Sequence, residues 1–318
     1  MSNSGRKINY SIRPAKNIER KMMRDMFLRL REFNRLEDYS YVGFGSKYFT
    51  DFIVFHKILN ISKMISIESD VNNRKRYEFN KPYSCITMQW GKSTEVIPKI
   101  ISENKKSIYW LDYDDVFQSY MLSDAAILSE QLESGSFFCA SFNCEPFVPQ
   151  DASEDEIRNK LVDMVGKDYV GSSIETRGWQ KSTRIAVFLK NCLKQKIEHV
   201  LKNRNLSLGD NEKLQISQEL FFIYADGANM ATVGFFFYTK EDENKYQNCG
   251  FSDFYFNKNG DEPFLIKTPN FTIKEIRHLM EKRPDLSGIN YQVFTQKDVE
   301  ELWENYRYFP GFSEVESF

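Results

Sequence analysis

Five apolar, strand-like segments alternate with helix-like segments between residues 40 and 142, and this alternation constrains the fold more than any other feature. The connections are too long for hairpins, so the strands are predicted to run parallel, with helices on both faces of the sheet. The high aromatic content, 15%, agrees with a strand-rich interior. The predicted strands are 40–44, 63–67, 84–89, 107–111 and 136–142.

Two further apolar segments, 219–224 and 232–238, follow this region and are joined by Asp226-Gly227. Asp-Gly favours a tight turn, so this pair is predicted to be antiparallel and to close the sheet. The sequence therefore predicts an α/β fold in three segments. These are a basic N-terminal helical segment (1–38), a Rossmann-like domain (39–240, with 147–180 as an insertion) and an α+β C-terminal appendage (241–318, with strands near 251–256 and 264–267 and a helix capped by Thr272).

Composition excludes several classes of protein. No apolar run approaches the roughly 18–20 residues of a spanning helix, and the first residues show no signal-peptide pattern. The five cysteines lack CxxC spacing and there are three histidines, so no structural zinc site or disulfide framework is expected. A reducing cytoplasm is the expected compartment.

Positive charge is concentrated in the N-terminal segment, although the formal net charge of the whole chain is -2. Residues 13–33 have the apolar spacing of a helix entered through Pro14, and its other faces are basic. One interpretation is a solvated face on a packed helix; the other is a surface that tracks phosphates. The candidates for phosphate contact are Arg20, Lys21 and Arg24.

Ligands of parallel α/β sheets bind beyond the carboxyl ends of the strands, so the residues at those ends are the site candidates. The first predicted strand leads into Gly43-Phe44-Gly45-Ser46, whose glycines allow a tight turn and a close approach to a ligand. The second ends at Glu68, at the distance from the glycines where an acid commonly holds ribose hydroxyls. The alternative is that Glu68 is a solvated acid ahead of a helix.

The third and fourth predicted strands end in polar clusters. Gly91, Lys92 and Ser93 follow Trp90, and this group could frame an adenine ring, unless Trp90 belongs to the core. The fourth strand is followed by Asp112-Tyr113-Asp114-Asp115. Carboxylates at a strand end can orient a ligand or act as a general base, and Asp115 can instead cap the next helix.

These features together resemble the class I S-adenosylmethionine-dependent methyltransferases, over roughly residues 38–240. The resemblance implies a seven-stranded sheet whose last strand is antiparallel. It also implies S-adenosylmethionine as cofactor. By this likeness Gly43, Gly45 and Ser46 lie beside the methionine and ribose of the donor, Glu68 holds the ribose, Gly91 to Ser93 lie by the adenine, and Asp112 borders the site of transfer. The stretches at 13–22 and 41–52 are similar to uncharacterised bacterial proteins whose O-methyltransferase label is itself an inference.

The sequence also departs from the family pattern. Tyr41 occupies the position of the usual acid before the first glycine, and Asp51 or Asp112 could substitute for it; Lys47 stands at the third small position. The motifs of adenine or cytosine amino methylation and of cytosine C5 methylation are absent. The three acids after the fourth strand point in different directions, so they are not expected to bind one metal ion.

The leading hypothesis is an O-directed methyltransferase with Asp112 as the first candidate base, Asp114 as the second and Tyr113 lining the acceptor pocket. The basic helix favours a phosphate-bearing acceptor such as nucleic acid or a nucleotide. The alternative is a non-catalytic scaffold subunit with a protein partner on 241–318. A nicotinamide enzyme is disfavoured because Tyr48 replaces the third glycine of GxGxxG.

Overall fold

The computed structural model describes residues 13–104, 106–283 and 289–310. The ends of the predicted first and last segments, 1–12 and 311–318, lie outside the described residues. Among the described residues the helices are α1 (Pro14–Leu28), α2 (Thr50–Leu59), α3 (Arg74–Asn80), α4 (Ser93–Ile100), α5 (Ser119–Gln131), α6 (Glu154–Val165), α7 (Ser182–Arg204), α8 (Glu243–Cys249), α9 (Ile273–Glu281) and α10 (Gln296–Asn305).

The strands of the described residues form one mixed sheet with the order β3-β2-β1-β4-β5-β7-β6-β8. Strands β1 to β5 are parallel, β7 is antiparallel to its neighbours β5 and β6, and β8 is parallel to β6. The strand bounds are β1 (Ser40–Gly43), β2 (Lys63–Glu68), β3 (Ile86–Trp90), β4 (Ser107–Val116), β5 (Ser136–Asn143), β6 (Leu214–Ala225), β7 (Asn229–Thr239) and β8 (Phe264–Ile266). The predicted α/β fold, with its parallel strands and antiparallel closing pair, is confirmed.

Apolar side chains cover both faces of the sheet. One face packs against α4, α5, α6 and α7, and the other packs against α1, α2 and residues 249–266. A smaller apolar cluster joins α9 and α10 around Leu302. No helix of the described part of the chain is long and apolar enough to cross a membrane.

The structure corrects three local predictions. The predicted aromatic strand at 251–256 is a 3₁₀ turn, Phe251–Asp253, whose rings pack onto the sheet instead of pairing in it. Strand β4 runs five residues past its predicted end, so Asp112 lies within the strand. Asp115 does not cap α5, because the N-cap position of that helix is Gln118, whose side chain forms no capping hydrogen bond.

Candidate active site

The carboxyl ends of β1, β2 and β3 are tied together by hydrogen bonds from their loops. The amide of Gly45 donates to Ser66 Oγ of β2 at 3.1 Å, and the amide of Gly91 donates to the carbonyl of Glu68 at 3.0 Å. The structure thus gathers three sequence-predicted site residues at one edge of the sheet, the edge where parallel α/β sheets bind ligands.

Both glycines of the first loop are required by contacts within the protein. A Cβ on Gly43 would lie 2.8 Å from Tyr41 Oη and 2.9 Å from the carbonyl of Trp110. A Cβ on Gly45 would lie 2.6 Å from the Phe49 ring. This differs from the sequence interpretation, in which the missing side chains made room for a ligand.

The loop after Gly45 is a tight turn with left-handed backbone. Ser46 has φ of 47° and Phe49 has φ of 49°, and Ser46 Oγ accepts the amide of Tyr48 at 3.2 Å. Helix α2 begins directly after this turn. Ser46, which was predicted to lie beside the methyl donor, therefore uses its hydroxyl to hold the loop.

Glu68 is half-buried at the end of β2. Its carboxylate accepts the amide of Asp70 at 2.9 Å and a hydrogen bond from Tyr77. Burial raises the pKa of Glu68, and these hydrogen bonds oppose the shift. Glu68 is thus a fixed acceptor rather than a freely solvated acid, and a carboxylate in this state suits hydroxyl donors.

The polar residues after β3, Gly91 to Ser93, differ in their exposure to solvent. Lys92 is exposed ahead of α4, and Gly91 has φ of 144°, a value that side chains disfavour. Ser93 is buried and its side chain bonds to Tyr113 and Asp124. The prediction that Ser93 lies against an adenine is therefore wrong for its side chain, which points into the core.

Asp112 is held by a buried lysine that the sequence interpretation placed on a solvated face. Lys16 Nζ on α1 lies 2.7 Å from Asp112 Oδ1 and 2.7 Å from Glu19 Oε2, and donates to Tyr224 Oη at 2.8 Å. The exposed fraction is 2% for the Lys16 side chain and 20% for that of Asp112. Burial alone would lower the pKa of Lys16, but the carboxylates of Asp112 and Glu19 outweigh it and raise this pKa well above its ordinary value.

A chain of buried polar groups continues from Glu19 into the sheet. Glu19 accepts from Thr232 of β7, Thr232 and Ser141 share a 2.6 Å hydrogen bond, and Trp110 Nε1 donates to Ser141 at 2.9 Å. Burial raises the pKa of Glu19, and the ammonium of Lys16 opposes that shift. These residues fix α1 to three strands beside Asp112.

Sequence reasoning missed Lys16 and Glu19. The one local signal was their position among the apolar residues of α1, since Ala15, Ile18 and Met22 surround them on the buried side. Their partners on β4, β6 and β7 are distant in sequence, so nothing local identified the ion pairs.

Asp51 stands where the usual acid of the glycine motif is missing. It lies at the start of α2, is buried, and accepts a hydrogen bond from Tyr41 Oη over Gly43. Burial raises the pKa of Asp51, and the nearby guanidinium of Arg20 lowers it. Of the two substitutes considered from the sequence, Asp51 is the one that the structure brings to Tyr41.

The other residues of the acidic cluster do not converge with Asp112. Tyr113 is buried and donates to Asp124 at 2.8 Å, so the prediction that it lines an acceptor pocket is wrong. Asp114 is exposed and Asp115 is half-buried. Burial raises the pKa of Asp124 to about 6, so the protonation of this carboxyl changes between mildly acidic and neutral pH.

The basic face of α1 is largely internal. Arg20 is 4% exposed. Lys21 donates to the carbonyls of Tyr308 and Phe309 at 3.0 and 3.4 Å, and Arg24 pairs with Asp25 at 2.6 Å. The predicted phosphate-tracking surface is therefore wrong for Arg20, and the cations of Lys21 and Arg24 are committed to the protein itself.

Comparison with known proteins identifies a family for this chain. The sequence matches the family described as “Putative O-methyltransferase” over residues 8–317. No curated protein matches it.

Several solved structures match part of the chain at low identity and low TM-score. The LepI complex with SAM is 12% identical, with 64% of this chain and 45% of that one covered at a TM-score of 0.34. PigF with SAH is 12% identical, with 68% and 65% covered at a TM-score of 0.34. A SAM-dependent methyltransferase from Anabaena variabilis is 12% identical, with 69% and 84% covered at a TM-score of 0.32. The chain spans less than half the length of LepI.

Proposed function

Because this chain belongs to the family of S-adenosylmethionine-dependent methyltransferases described as “Putative O-methyltransferase”, we propose that it transfers the donor's methyl group to a hydroxyl oxygen. The proposed acceptor bears a phosphate, as a nucleotide or nucleic acid does, but Arg20, Lys21 and Arg24 are not proposed to contact it, because they are engaged within the protein. The observation that carries this proposal is the position of Gly45, Glu68 and Gly91 at the carboxyl ends of β1 to β3, in a sheet with an antiparallel β7. Gly43 pairs with Trp110 of β4, so Asp112 lies level with the loop that contains Gly45.

In the proposed donor complex, the half-buried carboxylate of Glu68 accepts hydrogen bonds from the ribose hydroxyls. The backbone of Gly43, Gly45 and Ser46 borders the methionine and ribose, and Gly91 and Lys92 border the adenine. Binding in this cradle holds the sulfonium methyl in a fixed direction, and most of the rate enhancement comes from that orientation.

Asp112 is the proposed base, because it lies at this edge with 20% of its side chain exposed. Lys16 holds Oδ1, and Oδ2 takes the proton of the acceptor hydroxyl as the oxygen attacks the methyl. The bound donor would supply an activated methyl group, so that the carbon–sulfur bond would break as the carbon–oxygen bond formed and S-adenosylhomocysteine would be the product. Asp114 is the second candidate base.

A second candidate function is donor binding without catalysis, as in a scaffold subunit. The ion pair between Asp112 and the buried Lys16 favours it, since a carboxylate bound to an interior lysine has a structural role that needs no catalysis. A C-terminal protein partner belongs to this alternative.

The first test is thermal unfolding with S-adenosylmethionine, S-adenosylhomocysteine and NAD in parallel. A ligand at about 100 times its Kd stabilises the folded state by about 2.7 kcal/mol, a shift of several degrees. Stabilisation by the first two ligands alone supports the proposal, and no stabilisation by either contradicts it.

Two variants separate binding from catalysis. Glu68→Gln should weaken donor binding about tenfold, whereas the control Glu130→Gln, at an exposed position of α5, should leave it unchanged. Asp112→Asn should keep the donor Kd within about threefold but reduce transfer of labelled methyl groups to nucleotides or RNA at least about 100-fold. Donor binding with no transfer to any acceptor by the wild type would favour the scaffold function.

A further inference from the structure

The C-terminal segment contains a cleft that the proposed methyl transfer does not use. It has a volume of about 530 Å³ and lies between the 3₁₀ turn region and the end of α10. Two arginines and two tyrosines provide most of its lining, together with one carboxylate: Tyr255, Arg283, Glu304, Tyr306 and Arg307.

The two arginines of the cleft are held by aromatic rings rather than by carboxylates. The Arg283 guanidinium carbon lies 4.1 Å from the ring centre of Tyr306 and 5.2 Å from that of Trp303. Arg307 Nε donates to Tyr306 Oη at 3.2 Å, and this bond lowers the pKa of Tyr306. Within the described ranges, neither arginine has a carboxylate at ion-pair distance. Arg283 Nη2 also donates to the carbonyl of Trp303 at 3.5 Å. A guanidinium has five N–H groups, so each arginine keeps further donors for an anion after these single hydrogen bonds.

The tyrosines offer fixed aromatic surface. Tyr255 is 50% exposed, although its hydroxyl donates to the carbonyl of Glu304 at 2.7 Å. Its ring also packs edge-on against Phe256 and Phe264. The ring of Tyr255 is therefore already fixed, so it loses little conformational entropy when a planar ligand stacks on it.

We propose that this cleft binds a nucleoside phosphate unit. The phosphate lies between the N–H edges of Arg283 and Arg307, because guanidinium groups pair with phosphate through two parallel hydrogen bonds. The base stacks on Tyr255 or Tyr306, a mode that is tolerant of base identity. Glu304 accepts hydrogen bonds from ribose hydroxyls or from an amino group of the base.

The cleft is connected to helix α1 rather than being an isolated surface. The carbonyls of Tyr308 and Phe309, directly after Arg307, accept hydrogen bonds from Lys21, and the Tyr308 hydroxyl bonds to Asp25. The basic helix thus positions the segment that contacts phosphate. This inference goes beyond the proposed function, since the cleft can bind its ligand whether or not methyl transfer occurs.

The test is calorimetric titration of the full chain with uridine 5′-monophosphate, in the presence of saturating S-adenosylhomocysteine to occupy the donor site. Arg283→Gln and Arg307→Gln should each weaken binding about tenfold or more. Arg177→Gln removes an exposed arginine from the insertion on the other face of the sheet and should change Kd less than twofold. Tyr306→Leu should weaken binding, and Tyr306→Phe, which keeps the ring, should weaken it less.

Titration with a labelled single-stranded oligouridine distinguishes a single-stranded nucleic acid from a free nucleotide as the ligand of the cleft. A single strand is the ligand if the oligouridine binds more tightly than the mononucleotide. In that case the slope of the logarithm of the binding constant against the logarithm of salt concentration should become shallower by about 0.7 for each arginine removed. Equal or weaker binding identifies the free nucleotide. If the wild type binds neither probe, or if the control loses as much affinity as the cleft variants, the proposal is overturned. Because S-adenosylhomocysteine binding is measured separately, failure of the donor site cannot be mistaken for failure of the cleft.

Discussion

Lys16 is the residue whose burial affects the site most directly. Its ammonium group lies between Asp112 and Glu19, and the ring of Trp110 lies 4.5 Å from it. Two carboxylates compensate for the desolvation of one lysine, so removing the lysine leaves two acids facing each other in the interior.

Lys16→Met should therefore lower the free energy of unfolding by about 3–5 kcal/mol. Urea unfolding at pH 7 measures the loss, with Lys202→Met, at an exposed position of α7, as the control expected to stay within about 0.5 kcal/mol. The double variant with Glu19→Gln should recover part of the loss, because it removes one unpaired carboxylate. An unchanged free energy in Lys16→Met would show that desolvation cancels the attraction.

Asp124 is expected to make the stability of the core beneath the site depend on pH. It is buried, accepts from Tyr113, and its pKa is raised from 3.8 to about 6. A raised acid pKa means that the folded state binds more protons than the unfolded state between these values, so stability is lost as pH rises through them.

Asp124→Asn keeps an acceptor for Tyr113 and removes this titration. Since one pKa unit corresponds to about 1.4 kcal/mol and the unfolded pKa lies close to pH 4, the wild type should lose about 2 kcal/mol more than the variant between pH 4 and pH 7. Unfolding free energies of both proteins at the two pH values test this, and titration of the other buried acids cancels in the comparison. Parallel pH profiles for the two proteins would contradict the shifted pKa.

At the scale of elements, the sequence predicted the strands better than their ends. The apolar runs located β1 to β7, but β4 continues through the acidic cluster because Leu111 and Tyr113 face one side and Asp112 and Asp114 alternate with them. A period of two in charge and hydrophobicity is typical of a strand with one solvated face. The acids were interpreted as following the end of a strand, whereas they lie within it, with Asp112 and Asp114 on one face.

Helix α1 was predicted over 13–33; it begins at Pro14 as expected but ends at Leu28, where the 3₁₀ turn Arg29–Glu32 follows, and its environment was wrong. The apolar spacing that identifies a helix says nothing about which charges meet partners from elsewhere in the chain, and the partners of Lys16 lie on β4 and β6. Burial of charged residues is therefore the part of the site that the sequence could not provide.

The N-terminus of α1 depends on a distant acid. The helix has no acid in its first turn and no side-chain cap, but the amides of Ala15 and Lys16 donate to Asp226 in the β6–β7 turn at 3.4 and 2.9 Å. Asp226→Ala should lower the free energy of unfolding by about 1 kcal/mol, and Asp226→Asn by less. Thermal unfolding against Asp210→Ala, an exposed control, measures the effect; equal shifts would show that the cap contributes nothing.

At the scale of the whole molecule, the C-terminal segment is part of the main core as well as an appendage. Strand β8 pairs with β6, and Phe251, Phe256 and Phe264 pack with the sheet. The division at residue 240 was placed where the alternating pattern ends. Composition could not reveal that the aromatic residues beyond it fill the same core, because a second small core has the same composition.

The packing leads to a prediction about truncated chains. A chain ending at residue 240 loses Phe251, Phe256, Phe264 and Ile266, each at most 5% exposed. Burial of each such side chain stabilises by about 1.5–3 kcal/mol, so the loss is comparable with the whole stability of an ordinary domain, about 5–15 kcal/mol. This chain should therefore fail to unfold cooperatively.

A chain ending at residue 267 keeps β8 and those four side chains, and loses the α9–α10 cluster, which has a core of its own. It should unfold cooperatively at a lower Tm than the full chain, since Tyr308 no longer covers Phe256. Circular dichroism melts of both chains separate the possibilities. A cooperative melt of the shorter chain would re-establish a domain boundary at 240, whereas cooperativity in the longer chain alone would assign residues 241–267 to the sheet domain, because only those residues distinguish the two chains.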